Sequence, residues 1–166
     1  METSIYINNN PGNIKYFGDG GVEGVDYYLG KGDTGIKYRK FKSKADGLSA
    51  ILDTVYKYGT TNVDEIMGKY ASDDKSGTAI EDYGSELRFA YDVAKNLDYD
   101  NAEQLKNFVQ GITHFENSAN SEDYANYYTE KDYEDAVKLF QEKKLFEQID
   151  NVETKGEGFE MRKLGL

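Results

Sequence analysis

Cysteine is absent from the 166-residue sequence, which rules out a disulfide framework and every chemistry that needs a thiolate. Histidine occurs once, as His114, so multi-histidine metal sites are excluded as well. Positive charge is scarce beside negative: 20 Lys and Arg against 31 Asp and Glu give a net charge of −11. Phosphates repel such a surface, so neither nucleic acid nor an anionic membrane is an expected partner. No apolar run approaches the length of a membrane span, and Met1-Glu2-Thr3-Ser4 lacks the basic and apolar regions of a secretory signal. A phosphate-binding Gly-Lys motif is missing too, and the acidic residues Glu23, Asp26, Asp33, Asp73 and Asp74 do not follow the EF-hand spacing. They read as surface charge, and no metal or other cofactor is expected.

What remains is a chain with 38% hydrophobic residues, long enough for one domain with a real core and too short for two substantial ones. Its single proline falls in the least ordinary stretch, Asn8-Asn9-Asn10-Pro11-Gly12-Asn13-Ile14. Proline fixes its own φ and biases Asn10 toward extended backbone, Gly12 has access to positive φ, and the asparagines bond back to nearby backbone. The run therefore predicts a rigid polar turn. Its amides suit sugar hydroxyls and N-acetyl groups as well as they suit a self-satisfied loop.

Around this turn, Ser4 to Ile7 reads as a brief strand, and the glycine-interleaved stretch from Gly18 to Gly35 as an irregular hairpin flap, either a surface loop or a lip over a groove. Ser43 is a helix N-cap, and Leu48, Ile51, Leu52 and Val55 form the core stripe of a helix ending near Tyr58 and Gly59. A short helix from Val63 to Tyr70 follows, capped by Thr61 or Asn62, with Ile66, Met67 and Tyr70 turned inward. A polar loop covers Ala71 to Thr78, and a third helix is expected over Ala79 to Asn96, carrying Ile80, Tyr83, Leu87, Ala90, Tyr91 and Ala94 inward. Further helical stretches are Ser121 to Tyr128 and Glu130 to Lys143, the latter with Tyr133, Ala136, Val137 and Phe140 as its buried stripe. Residues 150 to 166 lose periodicity and read as a C-terminal extension to a domain spanning 1 to 149, either a frayed tail or an arm anchored by Phe159, Met161, Leu164 and Leu166. The fifteen tyrosines fall mostly on helical core stripes and read as packing.

The helix predicted over Ala102 to Phe115 bears most on chemistry. Its apolar stripe is Leu105, Phe108, Val109 and Ile112, and the next position on that stripe is Glu116. A carboxylate in line with a buried face and near a helix C-terminus is desolvated and close to the negative end of the helix dipole. Both effects disfavour its charged form, and a carboxylic acid with a raised pKa is what protonating a glycosidic oxygen requires. The other reading of the same residues ends the helix at Phe115 and turns Glu116 out to solvent. His114, two residues earlier, lies on a different side of the helix, so a serine nucleophile would lack its base.

The Asn8 to Ile14 run resembles the NNNPGN signature of a lysozyme-like family of phage genomes, whose members are virion-associated or endolysin-type peptidoglycan-cleaving domains. Tyr38-Arg39-Lys40-Phe41-Lys42-Ser43-Lys44-Ala45-Asp46-Gly47 is similar to that family's entry into a helix. Tyr70-Ala71 with Ser72, Asp73, Asp74 and Thr78 looks like its Tyr-Ala-Pro and acidic-Thr segment, with the proline absent. The likeness covers residues 8 to 95 well and 100 to 140 loosely. In related sequences the acid sits at the end of a helix upstream of the turn, in a pattern of the form Ala-Ile-x-x-x-Glu-Gly. Only seven residues precede Asn8 here, and Gly111 to Ser118 is the stretch that looks like that pattern. The resemblance thus implies a rearranged order in which the downstream helix delivers Glu116 beside the turn.

The expectation from this likeness is a mainly helical α+β domain, lysozyme-like, with a small β-rich N-terminal flap and about six helices. Its implied activity is cleavage of the β-1,4 bond of the peptidoglycan glycan strand, by hydrolysis or transglycosylation, with Glu116 as general acid. Asn10 and Asn13 would position the sugar, and Tyr70 would stack on it or orient it. The second carboxylate of a hydrolase is not identified by the sequence, which favours transglycosylation slightly. With no basic wall-binding segment evident, a phage virion would carry the protein to the wall as tail or ejected material. It would be made in the host cytoplasm without a signal peptide and contact other virion proteins through residues 150 to 166. The competing class is a non-enzymatic virion or assembly protein that keeps the fold, and a third is an acidic mimic of nucleic acid.

Overall fold

The buried stripe of the segment after Asn101 organises the molecule, because Leu105, Phe108, Val109 and Ile112 are each fully excluded from solvent. Each large apolar side chain removed from water in this stripe contributes about 1.5 to 3 kcal/mol. The computed structural model describes residues 8–16, 26–29, 35–71, 78–117 and 127–154. Among these, two strands, β1 (Asp26–Leu29) and β2 (Lys37–Lys40), precede five helices. The helices are α1 (Lys44–Tyr56), α2 (Val63–Tyr70), α3 (Thr78–Phe89), α4 (Ala102–Glu116) and α5 (Glu130–Thr154). The domain is therefore mainly helical with a small antiparallel sheet, in which Tyr27 pairs with Arg39 and Tyr28 with Tyr38. Among the described residues no helix is long and apolar enough to cross a membrane.

Local chemistry accounts for the helix ends. Ser43 caps α1 by accepting from the Asp46 amide, Asn62 caps α2 through Glu65, and Asn101 caps α4 through Gln104. Beyond α1 the chain turns at Gly59, whose φ of +73° is costly for any residue with a Cβ. Leu48, Ile51, Leu52 and Val55 of α1 are fully buried, and Tyr133, Ala136, Val137 and Phe140 of α5 are nearly so. α1 packs against both α5 and α4.

Three expectations need correction. The third helix stops at Phe89 rather than Asn96, because Asp92 takes a left-handed φ of +53° and the Val93 amide turns back to the Leu87 carbonyl. Gln104 then holds the non-helical chain, accepting from the Ala94 amide and donating to the Asp92 carbonyl. As a result Ala90 and Ala94 are exposed, whereas Val93 and Leu97 enter the core. The Asn62–Asn96 bridge fastens this segment to the start of α2. Second, α5 continues to Thr154 rather than ending near Lys143, since no glycine or proline interrupts it before Gly156. The segment 150 to 166 thus begins as helix, and residues 155–166 lie outside the described residues. Third, α4 includes Glu116, so the ending at Phe115 is one residue short. The strand expected at Ser4 to Ile7, most of the Gly18 to Gly35 flap, the 72–77 loop and most of the helix expected at Ser121 to Tyr128 also fall outside the described residues.

Candidate functional site

The Asn8 to Ile14 turn is wedged between three helices. Asn9 and Asn13 adopt left-handed φ values of 48° and 50°, a region that asparagine tolerates better than most residues with a side chain. On the α1 side, a Cβ on Gly47 would collide with the Asn9 carbonyl oxygen and come within 3.1 Å of the Pro11 ring. A Cβ on Gly12 would overlap the Tyr70 hydroxyl and lie 2.7 Å from Ile51. Each close approach of backbone thus requires its glycine. The flanks of the turn pair with β2: the Arg39 amide donates to Ile14 at 2.9 Å, and Phe41 donates to Asn8 at 2.8 Å.

Asn10 is fully buried, and its amide is committed inward. Nδ2 donates to the carbonyls of Ile14 at 3.0 Å and Arg39 at 2.9 Å, while Oδ1 accepts from the Ile14 amide at 2.9 Å. The sugar contact expected of Asn10 is therefore not available to it; its role is to hold the turn closed on the sheet. Asn13 is half-buried and points the other way, donating from Nδ2 to the Glu116 carboxylate at 3.1 Å and to the Glu116 carbonyl at 3.0 Å. Tyr70, the last residue of α2, donates its hydroxyl to the Gly12 carbonyl at 2.6 Å. Three of the four expected site residues, Glu116, Asn13 and Tyr70, thus meet at the turn, and the fourth braces it from within.

Sequence reasoning missed Asn117. It is buried and donates from Nδ2 to the Pro11 carbonyl at 2.8 Å and to the Thr113 carbonyl at 2.7 Å, pinning the C-terminal end of α4 to the turn. Its adjacency to Glu116 was the available signal. Asp53 was missed as well. It shares a cleft of about 400 Å³ with Gly12, Asn13 and Tyr70, and its carboxylate accepts from Lys143 at 3.4 Å.

Electrostatics at the site follow from burial. Desolvation pushes the Glu116 pKa above the usual carboxylate value, and the hydrogen bond from Asn13 pulls in the opposite direction without cancelling it. Burial raises the Tyr70 phenol well above its ordinary value, with the Glu116 carboxylate adding to the effect, so Tyr70 stays a neutral donor. His114 points elsewhere: its Nδ1 meets the Tyr91 hydroxyl, and burial lowers its pKa. Chemically, the arrangement is one carboxyl group biased toward its protonated form, fixed by an amide and set beside a rigid polar turn. Among the described residues no cluster of His, Cys, Asp and Glu forms a candidate metal site.

No protein-family model matches the chain, and no curated protein is significantly similar to it.

Proposed function

We propose that the protein cleaves the β-1,4 glycan bond of peptidoglycan with Glu116 as general acid, in a lysozyme-like domain carried by a phage virion. The observation that supports this reading most is the Asn13–Glu116 hydrogen bond, which joins residues 103 apart in the sequence. A carboxyl at a helix end beside the Asn-Pro-Gly-Asn turn is the arrangement the family resemblance implies, reached here with the helix downstream of the turn. Raising the carboxyl's pKa by burial suits it to hand a proton to a leaving glycosidic oxygen. Asn13 orients the acid, and Tyr70 supports the turn through Gly12 while its ring adjoins the cleft.

With one acid, the same Glu116 serves a transglycosylase: it protonates the glycosidic oxygen, then as carboxylate takes the proton from the sugar's own hydroxyl as the anhydro ring closes. A hydrolase needs a second carboxylate, and Asp53 is the carboxylate that lines the neighbouring cleft. Incubating the purified protein with peptidoglycan sacculi and weighing the released fragments tests the reading. Anhydro products support transglycosylation, reducing ends support hydrolysis, and the absence of both with the parent protein refutes the proposal in favour of a non-enzymatic virion component.

A further inference from the structure

Although acidic residues outnumber basic ones 31 to 20, the cleft beside the candidate site reverses that balance. Lys15, Arg39, Lys57 and Lys69 line it, opposed by Asp53 alone. A second cleft of about 580 Å³ adjoins the first, the two sharing Arg39, Asp53 and Lys57 in their walls. Lys40, Lys42, Lys143 and Lys144 add to the positive side of this second cleft, against Asp46, Asp53 and Glu147. Asp53 is engaged by Lys143 at 3.4 Å, and Lys144 is engaged by Asp100 at 3.0 Å.

Arg39 stands where the clefts meet, and its Nε is buried with no hydrogen-bond acceptor among the described residues. A buried charged donor without an acceptor is costly and calls for a partner, for which a water, an ion or a bound ligand qualifies. A guanidinium is also the side chain whose planar fork fits a carboxylate or phosphate with two parallel hydrogen bonds. Lys57, exposed in the same shared wall, adds a second cation. Tyr56, Phe41 and Phe140 are also in the lining of the second cleft and add aromatic surface to it.

We infer that the joined clefts bind an oxyanion carried by the glycan polymer, with Arg39 as the clamp and Lys57 as its neighbour, extending the substrate site away from Glu116. This rests on the glycan-cleaving reading for the identity of the polymer, while the anion chemistry stands on Arg39 and the shared wall. The oxyanion has two sources: carboxylates of peptides attached to the glycan, or phosphates of an anionic wall polymer.

Binding of the full-length protein at low salt to three probes tests the inference: glycan strands bearing their peptides, the same strands stripped of peptide, and polyglycerol phosphate. Tighter binding of the peptide-bearing strands than of stripped strands, weakened about tenfold by Arg39→Gln and by Lys57→Gln, supports the carboxylate source. The same losses on polyglycerol phosphate support the phosphate source, and in both cases added salt weakens binding. Lys57→Gln at an exposed position keeps the test decisive should Arg39→Gln fail to fold. Equal binding of stripped and peptide-bearing strands with no binding of polyglycerol phosphate, or parental affinity in a folded variant, overturns the anion site. Anion-dependent binding without cleavage of any strand overturns the glycosidase reading alone.

Discussion

Asn13 donates one amide group to both the carboxylate and the main-chain carbonyl of Glu116, at 3.1 and 3.0 Å. The side chain of a residue held at positive φ thereby fixes the rotamer of an acid at the end of a distant helix.

Replacing that acid separates chemistry from folding. Glu116→Gln keeps the shape and the acceptor for Asn13 but carries no transferable proton, so cleavage of sacculi falls by about 10²- to 10⁴-fold. Retained muralytic activity in the variant refutes the assignment of Glu116.

Thermal melting of the same pair as a function of pH reads the burial of the carboxyl. Because the folded-state pKa of Glu116 is raised, the contribution of its proton to stability is fully present below the ordinary carboxylate value and is lost as pH rises through the raised one. The Tm of Glu116→Gln relative to the parent therefore increases from acid toward neutral pH. A constant difference across that range contradicts a desolvated carboxyl. Activity requiring protonated Glu116 declines over the same rise.

Asn13→Gly preserves access to the left-handed backbone and removes only the amide. Since the Asn13 bond lowers the Glu116 pKa, its loss leaves burial less opposed, and the alkaline limb of the activity profile moves to higher pH as kcat drops. An unmoved limb shows that Asn13 does not act on the acid.

Two glycines offer a matched test of the wedge between turn and α1. Gly47→Ala drives a methyl into the Asn9 carbonyl and destabilises by about 3 kcal/mol or more, at the upper end for overpacking. Gly68→Ala, in α2 with open space around it, stabilises by about 0.5 to 1 kcal/mol. Denaturant midpoints of the two variants measure both, and similar midpoints mean the turn yields to α1.

Location is checked in purified phage particles, which should contain the protein after washing. A chain ending at Thr154 keeps every described element and is expected to fold but fail to incorporate. Absence from particles, or normal incorporation of the shortened chain, refutes virion attachment through the remaining residues.

Periodicity alone picked out the buried stripes of α1, α4 and α5 and Ile66 and Met67 of α2, because a helix face is set by neighbours three and four positions apart, whereas Tyr70 is only partly buried and Val63, which periodicity did not single out, is fully so. Ser43 was likewise legible as a cap, since capping is a contact within one turn, and the structure chose Asn62 over Thr61 for α2. The end of α3 was not legible: Gln104, from another helix, satisfies the backbone of the segment that leaves it. The role of Asn10 was equally hidden, because a buried amide and a sugar-facing amide are the same residue until the Arg39 carbonyl is seen above it. The sequence shows no basic wall-binding segment and an excess of acid. Only the packing of β2, α1 and α5 gathers Arg39, Lys57 and Lys143 around joined clefts, since charges far apart in the chain act together only once the backbone brings them within reach of one ligand.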